Sequence, residues 1–457
     1  MTQRYAFPAL QTNTMTDSQG QRGGRRPNRD RVPWSVDLRM FGPAYLVAVG
    51  YMDPGNWATD LAAGSRYGYG LLWVVAASSL MAMLLQSLCC RLGIATGLDL
   101  AQACRRLLPA AWHIPLWLLA EVAIVACDLA ELVGSAIALQ LLFGLPLPVG
   151  VAFTAGDTLL LLALQRFGVR RLEALIIALV ALVGACFAWE LLLLQPDWLQ
   201  VAAGFVPQPS VLRDGQQLYL AAGILGATVM PHNLYLHSAL VKTRPSADQP
   251  RDRPLALRLA TLDAVVALSL AFLVNVAILV LAAGAFHGVV AQPVDDLRQA
   301  HTLLSPLLGT SLAGTLFAVA LLAAGHSSTL TATMAGQVVM EGFLDLRLPG
   351  WQRRLITRGL ALLPAMATVI GLGDQATAQL LVFSQVVLSL QLPFAVIPLV
   401  RFCTHRGLMG ELRLPGWLQA SSWLCAAAIV LINLSLLSTM LGSFSPWPWL
   451  PRMAGHG

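Results

Sequence analysis

Long apolar stretches alternate with short polar ones along the chain. Eleven of them approach the roughly 20 residues that a helix needs to cross a bilayer. They lie near 41–65, 70–92, 114–143, 148–165, 173–194, 217–241, 262–287, 311–342, 355–372, 377–401 and 417–443. Hydrocarbon offers no partner to a free backbone amide or carbonyl, so such runs predict helices. No alternating pattern of ten-residue strands, as in a membrane barrel, is present. The pattern predicts an all-α polytopic membrane protein with one transmembrane domain over 41–443. Before it lies a polar, Arg-rich segment, 1–40, which lacks the apolar core of a signal peptide and reads as a disordered cytoplasmic tail. After it, 444–457 reads as a short extracytoplasmic tail.

Composition agrees with this reading. The chain is 57% hydrophobic and 11% charged, against about 25% charged in soluble domains. A net charge of +6 is also found in nucleic-acid-binding proteins, but its placement here argues against such a partner. With the N-terminus inside, 25 of the 29 Lys and Arg fall in cytoplasmic segments, leaving Arg66, Arg213, Arg298 and Arg452 outside. That split satisfies the positive-inside rule and supports the count of eleven spans. The expected setting is a bacterial inner (plasma) membrane, with the C-terminus extracytoplasmic. The seven cysteines form no C-x-x-C pair, so neither a disulfide framework nor a thiolate metal site is expected.

Two apolar segments are unusual. Segment 1 reads VAVGYMDPGNWATDLAAG, and segment 6 reads GILGATVMPHNLYLHSAL. Each carries Pro and Asn in the register x-Pro-x-Asn at its centre. A proline inside a helix removes one backbone bond and clashes with the preceding turn, at a cost of about 3 kcal/mol. The two segments lie five apart, an odd number, so the second copy enters the membrane from the opposite side. This is the signature of an inverted repeat, about 41–194 against about 217–401, with 417–443 outside it. Both helices are expected to break at Pro54-Gly55 and at Pro231, exposing half-helix ends near the bilayer midplane.

Asp53 stands beside the first break. A charge at that depth costs roughly 3 kcal/mol on insertion scales, and a bound cation is the simplest compensation. Asn56 adds an amide oxygen, Met230 a thioether, and freed carbonyls near Gly50 and Ala227 can complete the shell. Carboxylate and amide oxygens are hard donors, whereas a thioether contributes almost nothing to Mg²⁺ or Ca²⁺. The mixed set favours Mn²⁺, Fe²⁺, Co²⁺, Zn²⁺ and Cd²⁺ over the alkaline earths. In segment 3, Glu121, Asp128 and Glu131 follow one another at spacings of seven and three, which places them on one helix face. Intramembrane acids of this kind mark ion or proton paths. Arg353 and Arg354, at the start of segment 9, are their candidate partners. His232 follows the second break, and imidazole titrates nearest physiological pH. His237, one turn further, is expected to line a water-filled vestibule.

The segments YMDPGN and ATVMPHNLYLHSAL resemble the Nramp family of proton-coupled metal transporters, whose bacterial members are often named manganese transport proteins. The resemblance continues through ACDLAELVGSAIAL, FLVNVAILVLAA, TLTATMAGQVVMEGFL, QRRLITR and FSQVVLSLQLPFAVIPL, and so covers nearly all of 40–405. It implies a LeuT-like fold working by alternating access. It also implies a metal site of Asp53, Asn56, Met230 and the Gly50 and Ala227 carbonyls, with Gln385 joining in some conformations. The implied proton route runs from Asp53 past His232 to the segment 3 acids and segment 9 arginines. Thr228 and Asn275 are further candidates, for holding metal-bound water. One departure is Gly325-His326-Ser327-Ser328, where the family often has Gly-Gln-Ser-Ser.

The expected function is therefore import of Mn²⁺ or Fe²⁺, and also Cd²⁺, Co²⁺ or Zn²⁺, with proton symport. The expected partners are the metal ion, protons and lipid, with no permanently bound cofactor and no obligatory protein partner. A sodium-coupled amino-acid transporter on the same scaffold would need the half-helix ends free for a substrate carboxylate, which Asp53 disfavours. No H-E-x-x-H, G-x-S-x-G or P-loop is present, which argues against an enzyme or a self-contained ATP-driven pump. A passive channel would show pH-independent uptake.

Overall fold

The structure, a computed structural model, describes residues 42–164, 169–242, 253–346, 350–371 and 373–443. The two tails read from the sequence lie outside these residues.

Eleven helical spans emerge, with the first and sixth broken. Span 1 comprises half-helices 1a, Pro43–Gly50, and 1b, Pro54–Tyr67. Span 6 comprises 6a, Gly215–Val229, and 6b, Pro231–Lys242. The others are span 2, Leu72–Thr96; span 3, His113–Phe143; span 4, Leu147–Leu164; and span 5, Val169–Leu194. In the second repeat follow span 7, Arg253–Phe286; span 8, Ser311–Leu344; span 9, Gly350–Gly371; and span 10, Gly373–Thr404. Span 11, Gly416–Ser443, stands outside the repeat.

Eight described helices are individually long and apolar enough to cross a membrane. The other three spans miss that test for visible reasons. Spans 1 and 6 are interrupted, and span 4 is described as an apolar helix only over Leu147–Gly156. Many large apolar side chains are exposed, including Leu80 at 67% and Leu363 at 70%. An outward-facing apolar surface of this kind suits lipid.

Packing sorts the spans into two groups. Half-helix 1b lies along span 7, and both halves of span 6 lie along span 2. Span 3 packs on spans 4, 8 and 9. The paired relations, 1 on 7 and 6 on 2, are what an inverted repeat requires. The scaffold of spans 3, 4, 8 and 9 holds the first break in place. A Cβ on Gly134 would fall 2.1 Å from the Pro54 ring, and one on Gly325 would come within 3.5 Å of it. Glycine on spans 3 and 8 therefore lets Pro54 lie between them.

A candidate cation site between two broken helices

Local chemistry explains both breaks. At the first, Tyr51 N–H and Met52 N–H turn back to the Ala48 and Val49 carbonyls (3.0 and 3.1 Å). Asp53 then caps 1b: its backbone is extended, and its Oδ1 accepts from Asn56 N–H (2.8 Å). Pro54 follows at the first helical position, where a missing N–H costs nothing. At the second break Met230 adopts a positive φ of 35° and Pro231 opens 6b. The same rule selects one carbonyl at each break. A helical carbonyl bonds the N–H four residues on, and four residues after Gly50 and after Ala227 stand Pro54 and Pro231, which have none. No other described donor bonds the Gly50 or Ala227 carbonyl.

The neighbouring side chains converge on these breaks. Asp53, Met230 and Gln385 are fully buried, and Asn56, Asn275 and His232 nearly so. Asn56 Nδ2 and Asn275 Nδ2 both donate to the Tyr51 carbonyl (2.5 and 3.0 Å). Gln385 Nε2 donates to Ser384 Oγ (3.1 Å) and more weakly to Asp53 Oδ2 (3.5 Å). Gln385 also wedges span 10 against both breaks. A Cβ on Gly55 would fall 1.7 Å from its Nε2, and one on Gly226 would fall 2.0 Å from its backbone oxygen. Asn233 Nδ2 donates to Met230 Sδ (3.4 Å), and a Cβ on Gly50 would come within 2.5 Å of that nitrogen. Asn233 thereby links 6b to 1a.

The oxygens that remain have nothing to bond. Asn56 Oδ1, Asn233 Oδ1, Asn275 Oδ1 and Gln385 Oε1 are buried acceptors without a donor. The two proline-freed carbonyls and the sparsely bonded Asp53 carboxylate join them. Leaving one such group unsatisfied costs about 1–3 kcal/mol, and here several gather around one carboxylate. Among the described residues, no three His, Cys, Asp or Glu side chains gather as a resident metal site would need. The arrangement can hold a cation through one charged and several neutral donors.

The span 3 acids meet arginines of span 9. Arg353 Nη2 donates to both oxygens of Glu121 (2.9 Å each), and Arg354 Nη1 to Asp128 Oδ1 (2.9 Å). Glu131, however, takes its main partner from Arg358, whose Nη2 lies 3.3 Å away, with Arg354 at 3.8 Å. Arg358 Nη2 also donates to Thr329 Oγ1 (2.7 Å), which donates on to Glu131 Oε2 (3.0 Å). Sequence reasoning passed over Arg358 and Thr329. Arg358 lies one turn from Arg354 in QRRLITR, and helix periodicity pointed to it. Glu131 sits one turn before Gly134, so this network reaches the break through the contact with Pro54.

His232 and His237 differ. Neither ring nitrogen of His232 has a partner. His237, expected beside a vestibule, is fully buried instead: its Nδ1 lies 2.7 Å from Gln86 Oε1, and Cys90 Sγ lies 3.6 Å from its Nε2. Gln86 Nε2 in turn donates to Tyr51 Oη, which donates to the Val229 carbonyl (3.4 Å). This chain of bonds ties span 2 to 6b, to the first break and to 6a. Thr228 and Asn275 line a small buried cavity with Tyr51 and Ser79. His326 Nδ1 lies 3.0 Å from the Leu322 carbonyl of its own helix. Four further buried acids, Asp60, Asp99, Glu190 and Asp263, carry no role in the sequence reading.

At the opposite end a cavity of about 540 Å³ opens between 1b, 6a and span 10, lined by Ala62, Tyr219, Val382 and Phe383 among others. The ion pair of Arg66 and Asp295 stands in its wall. Gly223 of 6a packs between 1b and span 10: a Cβ on it would fall 3.1 Å from Thr59 Cγ2 and 3.8 Å from Val386 Cγ2.

Two broken spans in opposed repeats, meeting at a buried cluster of acceptors, define a multi-pass membrane protein of the inverted-repeat transporter architecture. The family model described as natural resistance-associated macrophage protein-like, Nramp, matches residues 44–439, and the chain belongs to that family. A divalent metal cation transporter of Nostoc is 55% identical over 426 residues, covering 93% of this chain and 95% of its own. A second, from Pseudomonas aeruginosa, is 57% identical over 439 residues, covering 96% and 100%. The crystal structure of the Eremococcus coleocola manganese transporter, in complex with an aromatic bis-isothiourea substituted compound, superposes with a TM-score of 0.81. It has 38% identity and covers 92% of this chain and 91% of that one. The structure of MhsT, at 17% identity and a TM-score of 0.61, shares the fold alone, a LeuT-like one.

Proposed function

We propose that this chain imports divalent transition-metal ions, Mn²⁺ or Fe²⁺ foremost, by alternating access with proton symport. The observation that carries the reading is the surplus of buried acceptors around the one carboxylate of Asp53, a set of oxygens that a cation satisfies together. The relatives named above, as divalent metal cation and manganese transporters, support the same substrate class. In this reading Asp53, Asn56, Met230 and the Gly50 and Ala227 carbonyls hold the ion, with Gln385 closing over it from span 10. Asp53 supplies the only full charge, so the divalent ion is incompletely neutralised and can be released. Met230 sulfur disfavours Mg²⁺ and Ca²⁺, which gain almost nothing from a thioether.

The cavity between 1b, 6a and span 10 is the external approach, in an inner membrane with the N-terminus cytoplasmic. The His237–Gln86–Tyr51 chain is then the closed inner door. His232 passes protons between the site and the network of Glu121, Asp128 and Glu131 with Arg353, Arg354 and Arg358. Thr228 and Asn275 hold water on the ion as it changes coordination. An inward potential of about 100 mV favours each entering charge by about 2.3 kcal/mol, so a proton entering with the ion adds driving force.

The test is uptake in proteoliposomes with Mn²⁺, Fe²⁺, Cd²⁺, Mg²⁺ and Ca²⁺ while the internal pH is recorded. Uptake of the first three with internal acidification is expected. Uptake that ignores an imposed pH gradient would sink proton symport, and transport of Mg²⁺ as fast as Mn²⁺ would sink the sulfur argument. Replacing Na⁺ by choline should leave the rates unchanged.

A further inference from the structure

Away from the broken helices, the outer face of span 7 carries a groove of about 500 Å³. Pro254, Leu257, Leu262 and Val265 form its wall with Leu412 from the link between spans 10 and 11, and Arg91 and Arg258 flank it. None of its lining residues is acidic. Leu262 and Val265 are 51% and 37% exposed, and the apolar ridge continues along span 7 through Leu270 and Leu273. The groove therefore opens on the face that meets acyl chains, while Arg258 sits within the first turns of span 7 and Arg91 within the last turns of span 2, both at the level of the head groups. The two cations are held differently. Arg91 Nη1 donates to the Leu412 carbonyl and, at 3.4 Å, to that of Arg413. Arg258 is exposed and has no ion-pair partner among the described residues.

A fixed guanidinium and a free one beside an apolar slot match an amphiphile with an anionic head. Guanidinium is the side chain best suited to phosphate, and basic pockets between spans select anionic lipid head groups. We propose that this groove is a binding site for an anionic phospholipid of the surrounding bilayer. Its phosphate lies between Arg91 and Arg258, and an acyl chain lies along Leu257, Leu262 and Val265. The same helix braces the first half-helix. Asp263 on span 7 accepts from Gly42 N–H and Ala44 N–H (3.2 and 3.0 Å) at the start of 1a. Lipid seated here steadies the helix from which 1a is anchored.

Thermal unfolding of the full chain in detergent tests this, with phosphatidylglycerol compared to phosphatidylcholine of the same acyl chains. Phosphatidylglycerol should raise Tm by about 3 °C more than phosphatidylcholine, the size expected of a ligand bound well above its Kd. Arg258→Gln, which breaks no ion pair among the described residues, and separately Thr261→Glu, which puts an acid in the groove, should each remove most of that difference. Arg401→Gln, at an exposed arginine outside the groove, should keep it. Soluble glycerol phosphate at the same concentration should give no shift. Equal shifts from the two lipids would overturn the proposal, as would a full difference surviving in Arg258→Gln. A shift reproduced by glycerol phosphate would also overturn it, since it would mean an anion site with no need of an acyl chain.

Discussion

Two polar clusters lie buried in the bundle, and they are built on opposite principles. Along spans 3 and 9, three carboxylates face three guanidiniums and the charges balance. At the breaks of spans 1 and 6, one carboxylate and several amide and carbonyl oxygens gather with no cation of their own. Desolvation penalises both, but only the first repays it from within the protein. A cluster whose charges cancel is held together by its own members, even with Asp128 Oδ2 and Arg354 Nε left without a partner among the described residues. A cluster lacking its counter-charge has acceptors to offer a cation from outside the protein, as proposed above.

The contrast can be broken most sharply at Asp53. Asp53→Ala should abolish metal uptake, a loss of at least about 100-fold, because truncating one partner of a buried charge pair costs about 2–5 kcal/mol. The protein should remain folded, since the carboxylate has no internal counter-ion to abandon. Uptake in proteoliposomes, read beside a melting curve, checks both halves, and wild-type uptake would remove Asp53 from the site. Arg358→Ala should do the reverse. It strands Glu131 without its main cation, so stability should fall by about 3 kcal/mol, with Glu131→Gln in the same chain recovering part of the loss. Melting temperatures unchanged in both variants would show that the network is not balanced in the way described.

Met230→Ala should act more narrowly. It should leave Mn²⁺ transport within an order of magnitude and raise competition by Ca²⁺ and Mg²⁺ by about tenfold, or 1.4 kcal/mol, through loss of the soft donor. Inhibition constants measured against Mn²⁺ uptake would read this, and unchanged selectivity would refute the role given to sulfur. Asn233→Ala is the mildest. It loses the bond from its Nδ2 to the Val47 carbonyl of 1a (3.5 Å), worth about 1 kcal/mol, so uptake should fall only a few-fold.

Much of this was legible from residues alone. The eleven spans follow from hydropathy, and the matched Pro54 and Pro231 mark both interruptions, because proline acts on the chain locally. Asp53, Asn56 and Met230 were also visible, since each lies within two residues of a break. Partnerships across the bundle were harder to read. Arg358 looked like one more basic residue at a helix end until span 9 was placed on span 3, and nothing local told that it, more than Arg354, meets Glu131. His237, one turn beyond the second break, reads in the sequence as lining a vestibule, yet it is buried and meets Gln86 from a different span. Asn233 stood in the repeated register but was read only as part of it. Its contact with Gly50 depends on how closely 1a and 6b approach, a distance set by tertiary packing.

The Pro54 ring, gripped by Gly134 and Gly325, has a mechanical consequence. A hinge pin travels less than any other part of the door. If 1a swings to open the inner side, the pivot stays with spans 3 and 8, and the neighbouring residue moves least of all. Cargo carried beside that pivot can be passed from one face of the membrane to the other while hardly moving itself.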